Sequence, residues 1–252
     1  MKTLVTANQK GGVGKTSTLV HLAFDFFERG LKVAVIDLDT QANASYTLQS
    51  YRSGLYASEL LTNSSPNYEQ AFAESKGMSL IESDAGLANM EKMTLKDAGS
   101  NFRSAIKLLA VAGYDVCLID TAPSLGITMG AALLAADFVI SPIELEAYSI
   151  QGIKKMVTTI ANIRKANPTL KFLGMVPSKV DSRNPRHGRH LDELNKAYPS
   201  LMVPTSIGLR SSIADALASG VPVWKIKKTA ARKAAQEVRA LAAHVYHAME
   251  IK

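Results

Sequence analysis

Short, nearly uninterrupted apolar runs alternate along the chain with longer segments whose apolar residues recur every three or four positions. That alternation is the mark of strands joined by crossover helices into a mostly parallel, twisted sheet with helices on both faces, an α/β class. The runs predict strands at 3–8 (TLVTAN), 32–37 (KVAVID), 78–83 (MSLIES), 115–120 (DVCLID), 137–143 (DFVISPI) and 171–178 (KFLGMVPS), with a weaker one at 201–204 (LMVP). Several are apolar at consecutive positions, as strands covered on both faces are. The periodic segments predict helices at 16–29, 95–112, 126–136, 148–166, 188–197, 210–219 and 229–249. Gly30, Gly113 and Gly220 stop three of them, and Asn167 with Pro168 stops a fourth. The least patterned stretch, Gly54 to Lys76 with its polar TNSSPN turn, is expected to be a surface excursion. No repeat interrupts the pattern, and 252 residues suit one well-buried domain, 1–252.

Composition narrows the setting. The single cysteine, Cys117, lies inside the apolar run YDVCLID, which excludes a disulfide framework and a four-cysteine cluster within one chain. An inert core thiol is expected there. No apolar run approaches the ~20 residues of a membrane span, and the N-terminus reaches a functional loop too soon for a signal peptide. A cytoplasmic protein is expected. The net charge of +7 points to a polyanionic partner or to solubility alone.

The chemistry concentrates in GGVGKT, residues 11–16, between a strand and a helix. Glycines let backbone N–H groups wrap an anion, and the helix N-terminus adds partial positive charge. Gly11, Gly12, Val13, Gly14, Lys15, Thr16 and Ser17 form the expected nucleotide-binding set. In it Lys15 reaches the β and γ phosphates and the Thr16 hydroxyl binds Mg²⁺. Acids end two apolar strands, Asp37 and Asp39 in VIDLDTQ and Asp120 in CLIDTAPS. Carboxylates at the carboxyl ends of parallel strands face the ligand crevice, so Thr16, Asp37 and Asp120 are the expected metal-holding residues.

A second lysine, Lys10, directly precedes the glycines. KGGVGKTS resembles the deviant Walker A motif of the ParA/MinD ATPases, DLDTQAN their DxDPQGN segment, and LIDTAPS their Walker B motif. The resemblance runs along essentially the whole chain and is nearest to ParA-type plasmid partition ATPases, in particular short IncC-like members. Those resemble ELEAYSIQGIKKM and the stretch from Leu209 to Ala234. It implies a P-loop fold, a weak ATPase using ATP and Mg²⁺, and an ATP-sandwich homodimer in which Lys10 reaches the partner's phosphates. It further implies that Asp39 orients the attacking water, so that Lys10, Lys15 and Asp39 are the catalytic set, and that Gly11 lies where two loops meet. Thr40 and Ala42 depart from the family's proline and glycine, so the loop after Asp39 is expected to be set differently. SKVD, 178–181, superficially resembles a guanine-reading motif but begins with Ser178; the family expectation is adenine.

Basic residues Lys225, Lys227, Lys228, Arg232 and Lys233 crowd the start of the last helix. Its other face, Ala231, Ala234, Ala235, Val238, Leu241, Ala242, Val245 and Met249, is alanine-rich and suits packing on the protein body rather than a membrane. These cations, with Arg210, are the expected contacts to nonspecific double-stranded DNA, and Arg186 and Arg189 are further candidates. Trp224 is a candidate for packing beneath this segment. The pairs His187/His190 and His244/His247 lack further ligands, so no metal is assigned to them. The family implies a ParB- or KorB-like centromere-binding partner, for which FFERG and SIQGIKK are candidate docking segments, and a nucleoid-associated location. It also gives rivals: a MinD-like membrane-positioning ATPase, a reductase or ligase of the same superfamily, or a DNA-binding module without turnover. Without an N-terminal helix-turn-helix, operator-specific repression by this chain alone is not expected.

Overall fold

The computed structural model describes residues 1–62, 77–146 and 149–251. In chain order its elements are β1 (Lys2–Thr6), α1 (Lys15–Glu28), β2 (Val33–Leu38), α2 (Asn43–Thr47), β3 (Arg52–Tyr56), α3 (Ala57–Thr62), β4 (Met78–Glu82), α4 (Leu95–Val111), β5 (Val116–Thr121), α5 (Ile127–Ala135), β6 (Phe138–Glu144), α6 (Ser149–Ile163), β7 (Lys171–Ser178), α7 (Pro185–Ala197), α8 (Ser211–Ala218) and α9 (Thr229–Ala248). The seven strands form one sheet in the order β3-β4-β2-β5-β1-β6-β7, with every pairing parallel.

The continuous apolar runs have a direct cause. Along β1, β2 and β5, Leu4, Val35 and Leu118 enter one core while Val5, Ile36 and Ile119 enter another on the opposite face. The first core packs Leu19 and Leu22 of α1, Ile213 of α8, and Val238 and Leu241 of α9. The second packs Ala98 and Phe102 of α4, Leu133 of α5 and Ile153 of α6. Period-two alternation is invisible in the sequence because both faces are dry. Local signals set helix starts: Thr94 accepts from the Asp97 backbone N–H at 3.1 Å and donates to its carboxylate at 2.7 Å, opening α4.

After β1 the chain builds leftward through β2, β3 and β4, returns by β5, and then crosses to β6 and β7. The loop following β1 therefore opens at the point where the winding reverses, where open α/β sheets bind ligands.

Some expectations are corrected. Residues 201–204 form no sheet strand; Met202 makes one isolated bridge to Met175, and the segment lies along the outer edge of β7. The surface excursion begins with an edge strand, β3, and a short helix, α3, while 63–76, with most of the TNSSPN turn, lies outside the described residues. β3 carries one buried side chain, Leu55, and a left-handed glycine, Gly54 at φ 81°, so it shows no strand pattern. α2 and α3 are too short for a period to register. Helix α7 starts at Pro185, with the Asn184 side chain accepting from Arg186 N–H. Residue 148 lies outside the described set.

On the α1 face, a polar knot centred on one buried carboxylate joins α1 to α9. Asp25 is fully buried and takes Arg29 at 2.5 Å and Arg239, while Glu28 takes Arg239 and the Trp224 indole N–H at 2.9 Å. The Arg239 guanidinium stacks on the Trp224 ring at 3.6 Å. Trp224 thus packs between α1 and Arg239 of α9.

Candidate functional site

The loop after β1 is shaped by two left-handed glycines, Gly12 at φ 74° and Gly14 at φ 94°. A side chain at Gly14 would meet Ser178 Oγ at 2.7 Å, so the loop tolerates none there. Asn8 anchors the entry, donating to Pro142 O at 2.7 Å and accepting from Lys10 N–H at 2.9 Å. Val13 is buried beneath the loop. Gly14 opens α1 without any side-chain cap and with no acid in the first turn, leaving N–H donors and the positive helix end for an anion. A cleft of about 450 Å³ lies over this end, lined by Gly12, Lys15, Thr16, Ser17, Asp39 and Tyr46 among others.

Lys15 is buried, its ammonium 3.4 Å from Lys10 O. Burial pushes its pKa down, against the pull of Asp120 and Asp39. Asp37 and Asp120 are direct neighbours in register on β2 and β5. Asp120 accepts from Thr16 Oγ1 at 2.6 Å and Thr6 Oγ1 at 3.0 Å. Asp37 accepts from Ser45 N–H at 2.8 Å and Ser45 Oγ at 2.7 Å. Burial, reinforced by Asp37, pushes the Asp120 carboxyl up to about 7, and burial likewise raises Asp37. Two adjacent buried carboxylates with the Thr16 hydroxyl between them and the loop form a hard oxygen set poorly neutralised by protein cations, which fits a bound Mg²⁺.

Asp39 is buried beside them; its Oδ1 accepts from Gln41 N–H at 3.0 Å, and its carbonyl from Ser83 Oγ at 2.7 Å. Ala42 adopts the left-handed conformation, φ 53°, that a glycine would take freely. A non-glycine residue holds this conformation at a cost of about 1 kcal/mol, while Thr40 stays exposed.

Lys10 does not sit in the cleft. Its ammonium lies 3.2 Å from Glu144 and 2.5 Å from Glu146. Glu146, with Glu144 adding, holds its pKa above the ordinary lysine value against the opposing effect of burial. Burial acts to raise the Glu144 carboxyl, but Lys179, 3.0 Å away, and Lys10 outweigh it and hold it low. Gly11 lies beside Pro123, with 3.8 Å of room for a methyl.

The fold therefore gathers Lys10, Gly11, Gly12, Val13, Gly14, Lys15, Thr16, Ser17, Asp37, Asp39 and Asp120 at one sheet end. Sequence reasoning missed Thr6, Ser45, Ser83, Glu144 and Glu146, and weighed Ser178 and Lys179 only within the SKVD stretch. Only Glu144 carried a signal, as a carboxylate ending an apolar strand like Asp37 and Asp120. The basic residues Lys225, Lys227, Lys228, Arg232 and Lys233 are exposed around the start of α9, with Lys228 paired to Asp215 at 2.6 Å. Arg210 is engaged elsewhere: it binds Glu237 through two nitrogens, at 2.6 and 3.1 Å, and Glu237 also accepts from Gly208 N–H. Phe26 of FFERG is buried and its Glu28 and Arg29 are spent on the polar knot, whereas Gln151, Lys154 and Lys155 of SIQGIKK are exposed. No helix among the described residues is long and apolar enough to cross a membrane.

Comparison with known proteins places this geometry. A family model described as an AAA domain matches residues 1–172. The chain is 67% identical over 259 aligned residues to Protein IncC of Escherichia coli, covering 100% of this chain and 71% of the relative. It is 30% identical to the chromosome partitioning protein ParA of Caulobacter vibrioides, covering 88% of this chain and 86% of that one. Among solved structures, cobyrinic acid a,c-diamide synthase from Mycobacterium smegmatis, with a bound ATP analogue and magnesium, superposes with a TM-score of 0.78 at 28% identity. That match covers 98% of this chain and 95% of the other.

Proposed function

Since this chain belongs to the ParA-type plasmid partition ATPase family, we propose that it drives plasmid partition as a single ATPase domain, residues 1–252. Its ATP-bound form is a sandwich dimer that binds nonspecific DNA, and partner-stimulated hydrolysis releases it. ATP and Mg²⁺ are its cofactors; bound Mg²⁺ neutralises phosphate charge as the terminal bond breaks. Lys15 and the loop N–H groups bind the β and γ phosphates, while Thr16, Asp37 and Asp120 hold the metal shell. Asp39 orients the attacking water and takes up its proton as ATP and water become ADP and phosphate.

The observation that carries this reading is the placement of Lys10. Lys15 fills the loop, while the Lys10 ammonium is directed to Glu144 and Glu146 and its side chain is half exposed. A cation in that position serves a neighbour's nucleotide better than its own, and its grip weakens once hydrolysis removes phosphate charge. Two copies side by side bring two sets of Lys225, Lys227, Lys228, Arg232 and Lys233 to one duplex, and affinity climbs steeply with the phosphates neutralised. A ParB- or KorB-like partner then stimulates turnover, with the protein cytoplasmic and nucleoid-associated. The buried apolar face of α9, Ala231, Ala234, Val238, Leu241, Ala242 and Val245, disfavours a membrane-inserting role.

The test is binding to a random-sequence duplex without nucleotide, with ADP, and with ATP plus Mg²⁺, alongside Lys10→Ala and anionic vesicles. Binding to DNA with ATP alone, lost in Lys10→Ala, is expected; ATP-selective vesicle binding without DNA binding refutes it. Gly11→Val, whose added Cβ meets nothing closer than Pro123 at 3.8 Å, should bind nucleotide yet stay monomeric in ultracentrifugation. Phosphate release with DNA and the cognate partner separates an ATPase from a module without turnover.

A further inference from the structure

Away from the nucleotide cleft, a groove of about 770 Å³ lies between α4 and the end of α6, above the end of α5. We propose that it is a docking site for an acidic amphipathic helix of a partner protein. Its apolar part is Leu95, Leu134, Ile163 and Ala166, and Gly99 lets the helices close up, since an added methyl there would stand 3.0 Å from Leu134 Cδ1. Lys96, Arg103 and Lys107 form its rim, with Ser100 between them, spaced four, three and four residues apart along one stripe of α4. No acid lines it. Among the described residues neither Lys96 nor Lys107 has an ion-pair partner, and Arg103 donates only to Leu134 O at 2.9 Å.

The combination selects the occupant. Nucleic acid would satisfy the cations but lay phosphates over apolar carbon, and a lipid surface favours a protruding apolar face rather than a recessed one. A helix with leucines on one face and glutamates beside them satisfies floor and rim together. The same helix, α4, also exposes Leu108 and Val111, the last at 85%, which adds apolar area further along it. The groove shares no residue with the nucleotide cleft, so its occupancy is testable whatever the fate of the ATPase reading.

The probe is a fluorescein-labelled synthetic helix of about 18 residues with leucines on one face and glutamates flanking them, titrated against the full chain and followed by anisotropy. A scrambled peptide of the same composition and a version with lysine for glutamate should each bind at least about tenfold more weakly. Lys96→Glu with Lys107→Glu should weaken the glutamate peptide about tenfold and restore the lysine peptide. Equal binding of peptide and scramble, or an affinity unchanged by the charge reversals, overturns the proposal. So does a charge-reversed protein that loses duplex DNA or anionic-vesicle binding while keeping the peptide. Because Cys117 is the chain's only cysteine and is buried, Ser104→Cys carrying a photocrosslinker gives a second readout that leaves the charges intact. Crosslinking of the bound peptide from that position is expected; binding without it places the helix elsewhere and refutes the site.

Discussion

Replacing Glu146 with glutamine should tighten the proposed ATP-bound dimer. In the single chain the Lys10 ammonium is held 2.5 Å from Glu146 and 3.2 Å from Glu144, and it must leave both to reach a partner's phosphates. The Lys10 and Glu146 side chains are 49% and 55% exposed, so water and salt screen the contact. A pair that open is worth about 0.5 kcal/mol. A two-fold symmetric dimer breaks it twice, so the variant regains about 1 kcal/mol, roughly a fivefold lower dissociation constant. Glu146→Lys, which adds repulsion, should go further in the same direction. Sedimentation velocity over a concentration series with a non-hydrolysable ATP analogue and Mg²⁺ measures it. The gap between variant and native protein should shrink as salt rises from about 0.1 to 1 M. An unchanged or weaker dimer in Glu146→Gln, or a gap indifferent to salt, refutes the idea that these carboxylates compete for Lys10.

Further outcomes are expected. Gly14→Ala forces a side chain into φ 94° and against Ser178 Oγ, so it should cost about 2–3 kcal/mol in urea denaturation and abolish nucleotide binding; a native midpoint contradicts this. His21 is buried with its pKa pushed down to about 4, its Nδ1–H donating to Ser17 O and its Nε2 accepting from Val223 N–H. A depressed histidine pKa favours folding above the unfolded value, and that advantage drains as pH falls from about 6.5 towards 4. His21→Gln should then narrow the stability gap to native protein by about 3 kcal/mol across that window, which pH-resolved denaturation checks. Asp120 runs the other way: its raised pKa favours folding at low pH, and that favour is lost as pH rises from about 3.8 through about 7. Asp120→Asn should therefore stabilise the nucleotide-free protein at pH 8 by up to about 4 kcal/mol while destroying ATPase activity, and a lower melting temperature would count against it. Arg210→Ala leaves Glu237 partly buried without its partner and should cost about 2 kcal/mol of stability, whereas Lys227→Ala should lower the salt slope of DNA binding by about 1 at native stability.

The phosphate loop was legible because its chemistry is local: glycine, lysine and threonine must be contiguous to wrap one anion. Asp37 and Asp120 were legible because parallel strands deliver their last residues to one end. What escaped depends on contacts between distant segments. Ser45 is an ordinary helix residue until β2 brings Asp37 beneath it, and Lys179 matters only because β6 places Glu144 alongside. The edge strand β3 was unreadable because one buried leucine makes no pattern, and the weak strand at 201–204 was overread because apolar residues covering a sheet edge look like residues within one. Arg210 shows the same limit among the candidate DNA contacts: the sequence gives its charge, and only the fold reveals its pairing with Glu237.

The polar knot between α1 and α9 has a mechanical consequence. The helix whose first turn cradles phosphate is bolted near its far end, through Asp25, Glu28, Arg239 and Trp224, to the helix that begins at the basic segment. Handle and grip are thus tied to each other by ion pairs within a single subunit. On the proposed reading, the basic surface would act as a tally of subunits brought together, and a length of DNA would register the number of copies assembled on it instead of the nucleotide carried by any one of them.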